Sequence, residues 1–151
     1  MYSAFCFIRS LIFAVVMIVA TVIWAPICFL FAPLPYNQRY WATARWNVFI
    51  IWAAKVICGI RYQPRGYENF PDGPVIVLSK HQSAWETIFL LMSTPRPLVF
   101  VFKKSITYIP FFGWAISLMK MIPIDRSKGK DAFAQVVTIG RKRLADGQWV
   151  I

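Results

Sequence analysis

Between Arg9 and Arg39 the chain carries no charged side chain. Within that gap Leu11–Ala32 is a run of 22 residues, interrupted only by Thr21 and Pro26. As a helix it would be ~33 Å long, about the thickness of the hydrocarbon core of a bilayer. The run is longer than the apolar centre of a secretory signal and lacks a clear small-x-small cleavage site. It therefore reads as a retained anchor.

Trp46–Ile60 is a second apolar stretch, of 15 residues broken by Lys55. At ~22 Å it is too short to span a bilayer alone and fits an interfacial or re-entrant helix. Tyr36, Tyr40, Trp41, Trp46 and Trp52 gather around it, as amphipathic rings do at headgroup level. A buried core helix is the other reading of the same residues. Pro33-Leu34-Pro35 supplies the turn between the two segments. Residues 1–60 are thus expected to form a two-helix membrane anchor. Basic residues concentrate after the first run, which puts the rest of the chain on the cytoplasmic side.

Composition agrees with a membrane surface. The 151 residues are 58% hydrophobic with a formal net charge of +11. Disorder is excluded, and so is an ordinary soluble domain, which is about 45–50% apolar. Anionic headgroups are the first partner such a chain attracts, and nucleic acid the second. The charge is divided: residues 1–67 hold six basic side chains and no acidic one, and the remainder eleven and six. Cys6, Cys28 and Cys58 form no C-x-x-C, so neither a disulfide framework nor, with a single histidine, an ordinary zinc site is expected.

From residue 61 the pattern changes, and residues 61–151 read as an α/β unit. Prolines and glycines between Pro64 and Pro74 mark a loop. Val75–Leu78 reads as a buried strand, Ala84–Met92 as a helix and Leu98–Phe102 as a second strand. A helix broken near Pro110 and Gly113 lies within Ile106–Leu118. Met121–Ile124 is a weaker strand, demoted by Pro123. Asp131–Leu144 is the clearest helix, with Phe133, Val136, Val137, Gly140 and Leu144 on one face, and Gln148–Ile151 starts another strand. Strands alternating with helices imply a mostly parallel sheet with flanking helices.

Nucleotide-binding glycine motifs, G-x-S-x-G and H-E-x-x-H are all absent, which leaves His81 as the candidate base. It follows a strand and precedes a helix, at the edge where open α/β sheets place ligands. Glu86 stands five residues on; in one helix the two would diverge by ~140°, but a loop can fold the imidazole back toward the carboxylate. A carboxylate on one ring nitrogen fixes the tautomer and raises the basicity of the other. The competing reading is structural: Ser83-Ala84-Trp85-Glu86 matches a capping box, which would occupy Glu86 with backbone. Lys103-Lys104 and Arg126 also follow strands. If those strands are parallel neighbours, the cations open on the same edge and would receive an anion such as a phosphate.

With these pieces the chain resembles the lysophosphatidic acid (1-acyl-glycerol-3-phosphate) acyltransferase family of bacterial type. The blocks that carry the likeness are His81 through Glu86, Lys103-Lys104-Ser105 through Ile109-Pro110-Phe111-Phe112-Gly113, and Ile122-Pro123-Ile124-Asp125-Arg126. Glu86 stands where the family usually has Asp, and Pro123 where an aromatic or apolar residue is common. The family's Glu-Gly-Thr-Arg block would begin just beyond Ile151, so the chain reads as the front of a longer one.

The resemblance implies a glycerolipid acyltransferase fold and an enzyme of phospholipid biosynthesis at the cell inner membrane, its catalytic part facing the cytoplasm. His81, oriented by Glu86, would be the base, and Arg126 with Lys104 would hold the acceptor phosphate. Acyl-CoA or acyl carrier protein would be the thioester co-substrate, with no resident cofactor, metal or nucleic-acid partner. Other lyso-lipid acceptors, and a non-catalytic lipid-binding module, are the rival readings.

Overall fold

The uncharged N-terminal run folds as one helix, α1 (Tyr2–Cys28), ended by a tight turn at Phe29–Phe31 before Pro33 and Pro35. The computed structural model describes residues 2–151; Met1, the first residue of the 1–60 segment, lies outside them. Ser3–Phe31 is long and apolar enough to cross a membrane, and most of its surface faces outward.

The second helix, α2 (Tyr36–Ala53), runs back along α1. Near one end of the pair, Trp24 Nε1 donates to the Thr43 carbonyl at 3.2 Å. Near the other, Arg9 Nε donates to the carbonyl of Ile57, in the wider turn that continues α2 to Cys58. Gly59 closes that turn with φ +72, a conformation that favours glycine.

Of the two helices expected as an anchor, the second has one side enclosed by protein. Tyr40, Ala44, Ile50 and Ile51 of α2 are buried, and so are its polar Thr43 and Asn47. The Tyr40 hydroxyl accepts the Leu98 N–H at 3.0 Å and lies 3.0 Å from the Leu98 carbonyl. These bonds cross the 60/61 division. One side of α2 is covered by the sheet and by the helix after it, while Val48, Phe49 and Trp52 on its other side stay exposed, so α1 faces outward over most of its surface and α2 over part of it.

The sheet is parallel throughout. β1 (Leu98–Val99) pairs with β4 (Trp149–Val150), and β2 (Val101–Lys103) with β3 (Ile122–Ile124). Only Phe100 separates β1 from β2; its carbonyl accepts the Ile122 N–H on one side, while Val99 and Val101 bond Ile151 on the other. Leu98–Lys103 is therefore one extended run, with β4 along one edge and β3 along the other. Beyond β4 the sheet continues through Ile76, flanked by the bonds of Val75 and Val77 to Val150.

That first strand is also a correction. It makes a single bridge and is not buried: Ile76 is 64% and Leu78 94% exposed. As an edge segment with β4 as its strand neighbour, it gains few ladder bonds and no cover for its outer side chains. Pro123, by contrast, is tolerated in β3. Ile122 directs its N–H to β2, so by alternation position 123 faces the outer edge, where no donor is required.

Three further helices complete the layers: α3 (Ala84–Ser93), α4 (Phe112–Leu118) and α5 (Lys130–Ala145). From α2, Arg39 Nε and the Tyr36 hydroxyl donate to the last carbonyls around α4, on Leu118 and Met119, at 3.0 and 3.2 Å. On α5 the expected inward face holds at Val136, Gly140 and Leu144 and fails at Phe133. Ala132, Val136, Ile139 and Leu144 pack inward while Phe133 is exposed, because a residue adjacent to Ala132 is turned about 100° away from it.

Candidate active site

Ser83 ends the loop after the first strand with extended backbone and caps α3, its Oγ accepting the Trp85 N–H at 3.2 Å. Three residues on, Glu86 reaches back. Its carboxylate accepts the Gln82 N–H at 2.7 Å, the Ser83 N–H at 2.9 Å and the Ser83 hydroxyl at 2.7 Å. The capping box read from the S-x-x-E spacing is thus present. These donors hold the carboxyl well below the usual range, at about 2, the Ser83 hydroxyl contributing most and the Gln82 N–H next.

His81 lies in this loop, exposed to solvent and one peptide bond before Gln82. Among the described residues, none of the hydrogen bonds made by the Glu86 carboxylate goes to His81. The carboxylate holds the backbone on which the imidazole is mounted. Beside it, Trp85 and Phe89 stack along one side of α3, and Tyr62 meets Phe89 edge-on at 4.9 Å. This aromatic wall was not singled out from the sequence; the signal was the i, i+4 spacing of Trp85 and Phe89.

The strand register places the cationic residues at one end of the sheet. Lys103 is paired with Ile124 across parallel strands, so Lys104 and Asp125-Arg126 leave adjacent strand ends on one edge. The loop bearing His81 leaves the same edge, from a segment separated from β1–β2 by β4, hence roughly 10 Å away at strand level. The three backbone segments thus leave the same end of the sheet. An acidic residue stands beside them. Asp125 accepts the Ser127 hydroxyl at 2.6 Å and its N–H at 3.2 Å. The Ser127 bonds, helped by Lys104 and Lys128, keep its carboxyl below the usual range. The Asp-x-Ser spacing was the available signal for that local turn.

Comparison with known proteins decides the family. The protein-family profile described as Acyltransferase matches residues 61–151, the part that carries this edge. The chain belongs to the acyltransferase family. Within it, the likeness to the bacterial 1-acyl-glycerol-3-phosphate enzymes stands. A 1-acyl-sn-glycerol-3-phosphate acyltransferase of Pseudomonas aeruginosa is 43% identical over 146 residues, 95% of this chain and 56% of that protein. A 1-acyl-sn-glycerol-3-phosphate acyltransferase of Saccharomyces cerevisiae is 33% identical over 92 residues, 61% of this chain and 29% of that protein. A lyso-ornithine lipid O-acyltransferase of Rhizobium meliloti is 27% identical over 144 residues, 95% of this chain and 47% of that protein. The chain spans between about a third and just over half of the length of these acyltransferases. No solved structure matches the chain significantly.

Proposed function

We propose that this chain is the base-bearing part of an enzyme that moves a fatty acyl group from acyl-CoA or acyl carrier protein to 1-acyl-glycerol-3-phosphate, giving phosphatidic acid. The observation that carries the reading is the shared sheet edge, on which His81, Lys104 and Arg126 all open. His81 takes the proton of the acceptor's free hydroxyl as that oxygen attacks the thioester carbonyl. The tetrahedral intermediate then collapses, the C–S bond breaks, and the proton passes to the departing sulfur. Glu86 positions the imidazole through the Gln82–Ser83 backbone. Arg126, with Lys104, holds the acceptor phosphate, for which a guanidinium fork is well suited. The rings of Tyr62, Trp85 and Phe89 offer apolar surface for an acyl chain.

The outward apolar face of α1 supports work at a membrane, and the basic residues that follow α1 support a cytoplasmic orientation at the cell inner membrane. Transferring a 16-carbon acyl chain to water costs on the order of 10 kcal/mol at ~0.8 per methylene, which favours an enzyme that never releases its lipid. The likeness to a lyso-ornithine lipid O-acyltransferase supports a second reading, in which the acceptor is a different lyso-lipid.

The test is thioester release by the whole protein in membranes across a panel of lyso-lipid acceptors. The His81→Ala protein should retain its fold and membrane association and lose turnover with every acceptor. Turnover that survives the substitution removes His81 from the chemistry.

A further inference from the structure

Between β2 and β3 the chain leaves the cationic edge at Lys103-Lys104, makes one tight turn over Lys104–Tyr108 and enters α4 through Ile109-Pro110-Phe111. This connection turns apolar side chains outward: Tyr108 is 73%, Ile109 48% and Trp114 43% exposed. Isolated exposed apolar residues need no explanation, but this set is contiguous with another. The Trp114 ring lies 6.0 Å from that of Phe29 at the end of the α1 segment and 5.0 Å from that of Phe111. Phe29 and its neighbour Leu30 are themselves exposed. The apolar surface of α1 therefore runs on, without a break, to the connection between β2 and β3.

The connection is also built to hold this shape. A Cβ on Gly113 would lie 2.2 Å from the Thr107 carbonyl oxygen, so the turn and α4 meet at a distance only glycine permits. Phe111 adopts φ 66 and ψ −59, closed by the Phe112 N–H to the Pro110 carbonyl at 2.7 Å. This is the γ-turn that a non-glycine residue adopts only where its surroundings require it.

We propose that Tyr108–Trp114 is a second membrane contact, seated at the boundary between headgroups and acyl chains of the same bilayer that covers the outward face of α1. Three observations carry it: continuity with α1 through the Phe29–Trp114 contact, the outward aromatic rings, and charge complementarity. Tyr and Trp rings favour that boundary. Lys103 and Lys104 are exposed beside it, and no acidic residue occurs between Glu86 and Asp125, which suits anionic headgroups. The contact sets the cationic sheet edge one short turn from the membrane surface, so a lysolipid can slide sideways to Lys104. It does not rest on the acyl-transfer reading, and its test reads depth, not turnover.

The experiment uses the whole protein in vesicles of phosphatidylglycerol and phosphatidylethanolamine, with Cys6→Ala, Cys28→Ala and Cys58→Ala. Single cysteines are introduced by Ile109→Cys, Tyr108→Cys or, as a reference on the exposed side of α5, Gln135→Cys, and each carries an environment-sensitive fluorophore. Circular dichroism matching the parent qualifies each variant, and Tyr108→Cys carries the test if Ile109→Cys disturbs the turn. Labels at 108 and 109 should lose emission with lipids bearing an acyl-chain nitroxide and resist aqueous iodide, while the label at 135 behaves oppositely. Labels at 108 and 109 that iodide quenches as fully as at 135, or nitroxide quenching equal at all three, overturn the proposal.

Discussion

The carboxylate of Glu86 accepts the backbone N–H of Gln82 at 2.7 Å, so the residue next to His81 is tied to the first turn of α3. A side chain that the spacing paired with an imidazole is instead bonded to the loop that carries it. Any effect of Glu86 on His81 therefore passes through the backbone of this loop.

Glu86→Gln separates this role from simple capping. Glutamine still offers one acceptor to the cap, but it loses the second anionic oxygen that Ser83 engages. Acyl transfer by the whole protein should fall by roughly 100-fold, the scale of a misplacement of about an ångström, with kcat affected more than KM. Equal rates for both proteins would leave Glu86 as a cap alone.

Acid should loosen the same loop. The Glu86 carboxyl titrates at about 2 in the folded chain against an ordinary 4.5. A depressed carboxyl contributes stability that is fully present above its unfolded value and is lost as pH falls through the folded one. Hydrogen exchange at the Gln82 and Ser83 amides should therefore accelerate between pH 4.5 and about 2, beyond the intrinsic pH dependence of exchange. Protection that is unchanged across this window would contradict the cap geometry.

Tyr40→Phe tests the tie between α2 and the sheet. The hydroxyl is buried and accepts the Leu98 N–H, which the substitution would leave without that partner. Leaving a buried donor unsatisfied costs about 1–3 kcal/mol. Urea denaturation in detergent should show a loss of that size. An unchanged midpoint would mean that α2 is not held through this bond.

Arg126→Ala discriminates between acceptors. Removing the guanidinium should raise KM for 1-acyl-glycerol-3-phosphate by about tenfold or more, equivalent to ~1.5–3 kcal/mol for a charge-assisted hydrogen bond. It should leave an acceptor without a phosphate almost untouched. A KM that rises equally for both acceptors would move the phosphate contact to another residue.

Much of this was legible in the sequence because it depends on local chemistry. The uncharged run before Arg39 required an apolar helix, and S-x-x-E was enough to specify the cap at Ser83. Apolar runs ending at Phe102 and Ile124 were enough to bring Lys104 and Arg126 to strand ends. The blocks around His81, Gly113 and Arg126 carried the family resemblance, which the family comparison supports.

Three outcomes depended on partners distant in the chain. Whether α2 faced lipid or protein was decided by what lay across from it, and Leu98 is 58 residues from Tyr40. Val75–Leu78 looked like a buried strand by composition, yet it took the sheet edge, where little covers it. Phe133 matched the apolar stripe of α5, but the inward side of that helix was set by how it packs on β3 and β4. Hydropathy measures what a segment can bury. Only the tertiary arrangement supplies the surface that buries it, and here that arrangement gave the sheet's surface to one side of α2 and left α1, the other side of α2 and the turn before α4 facing outward.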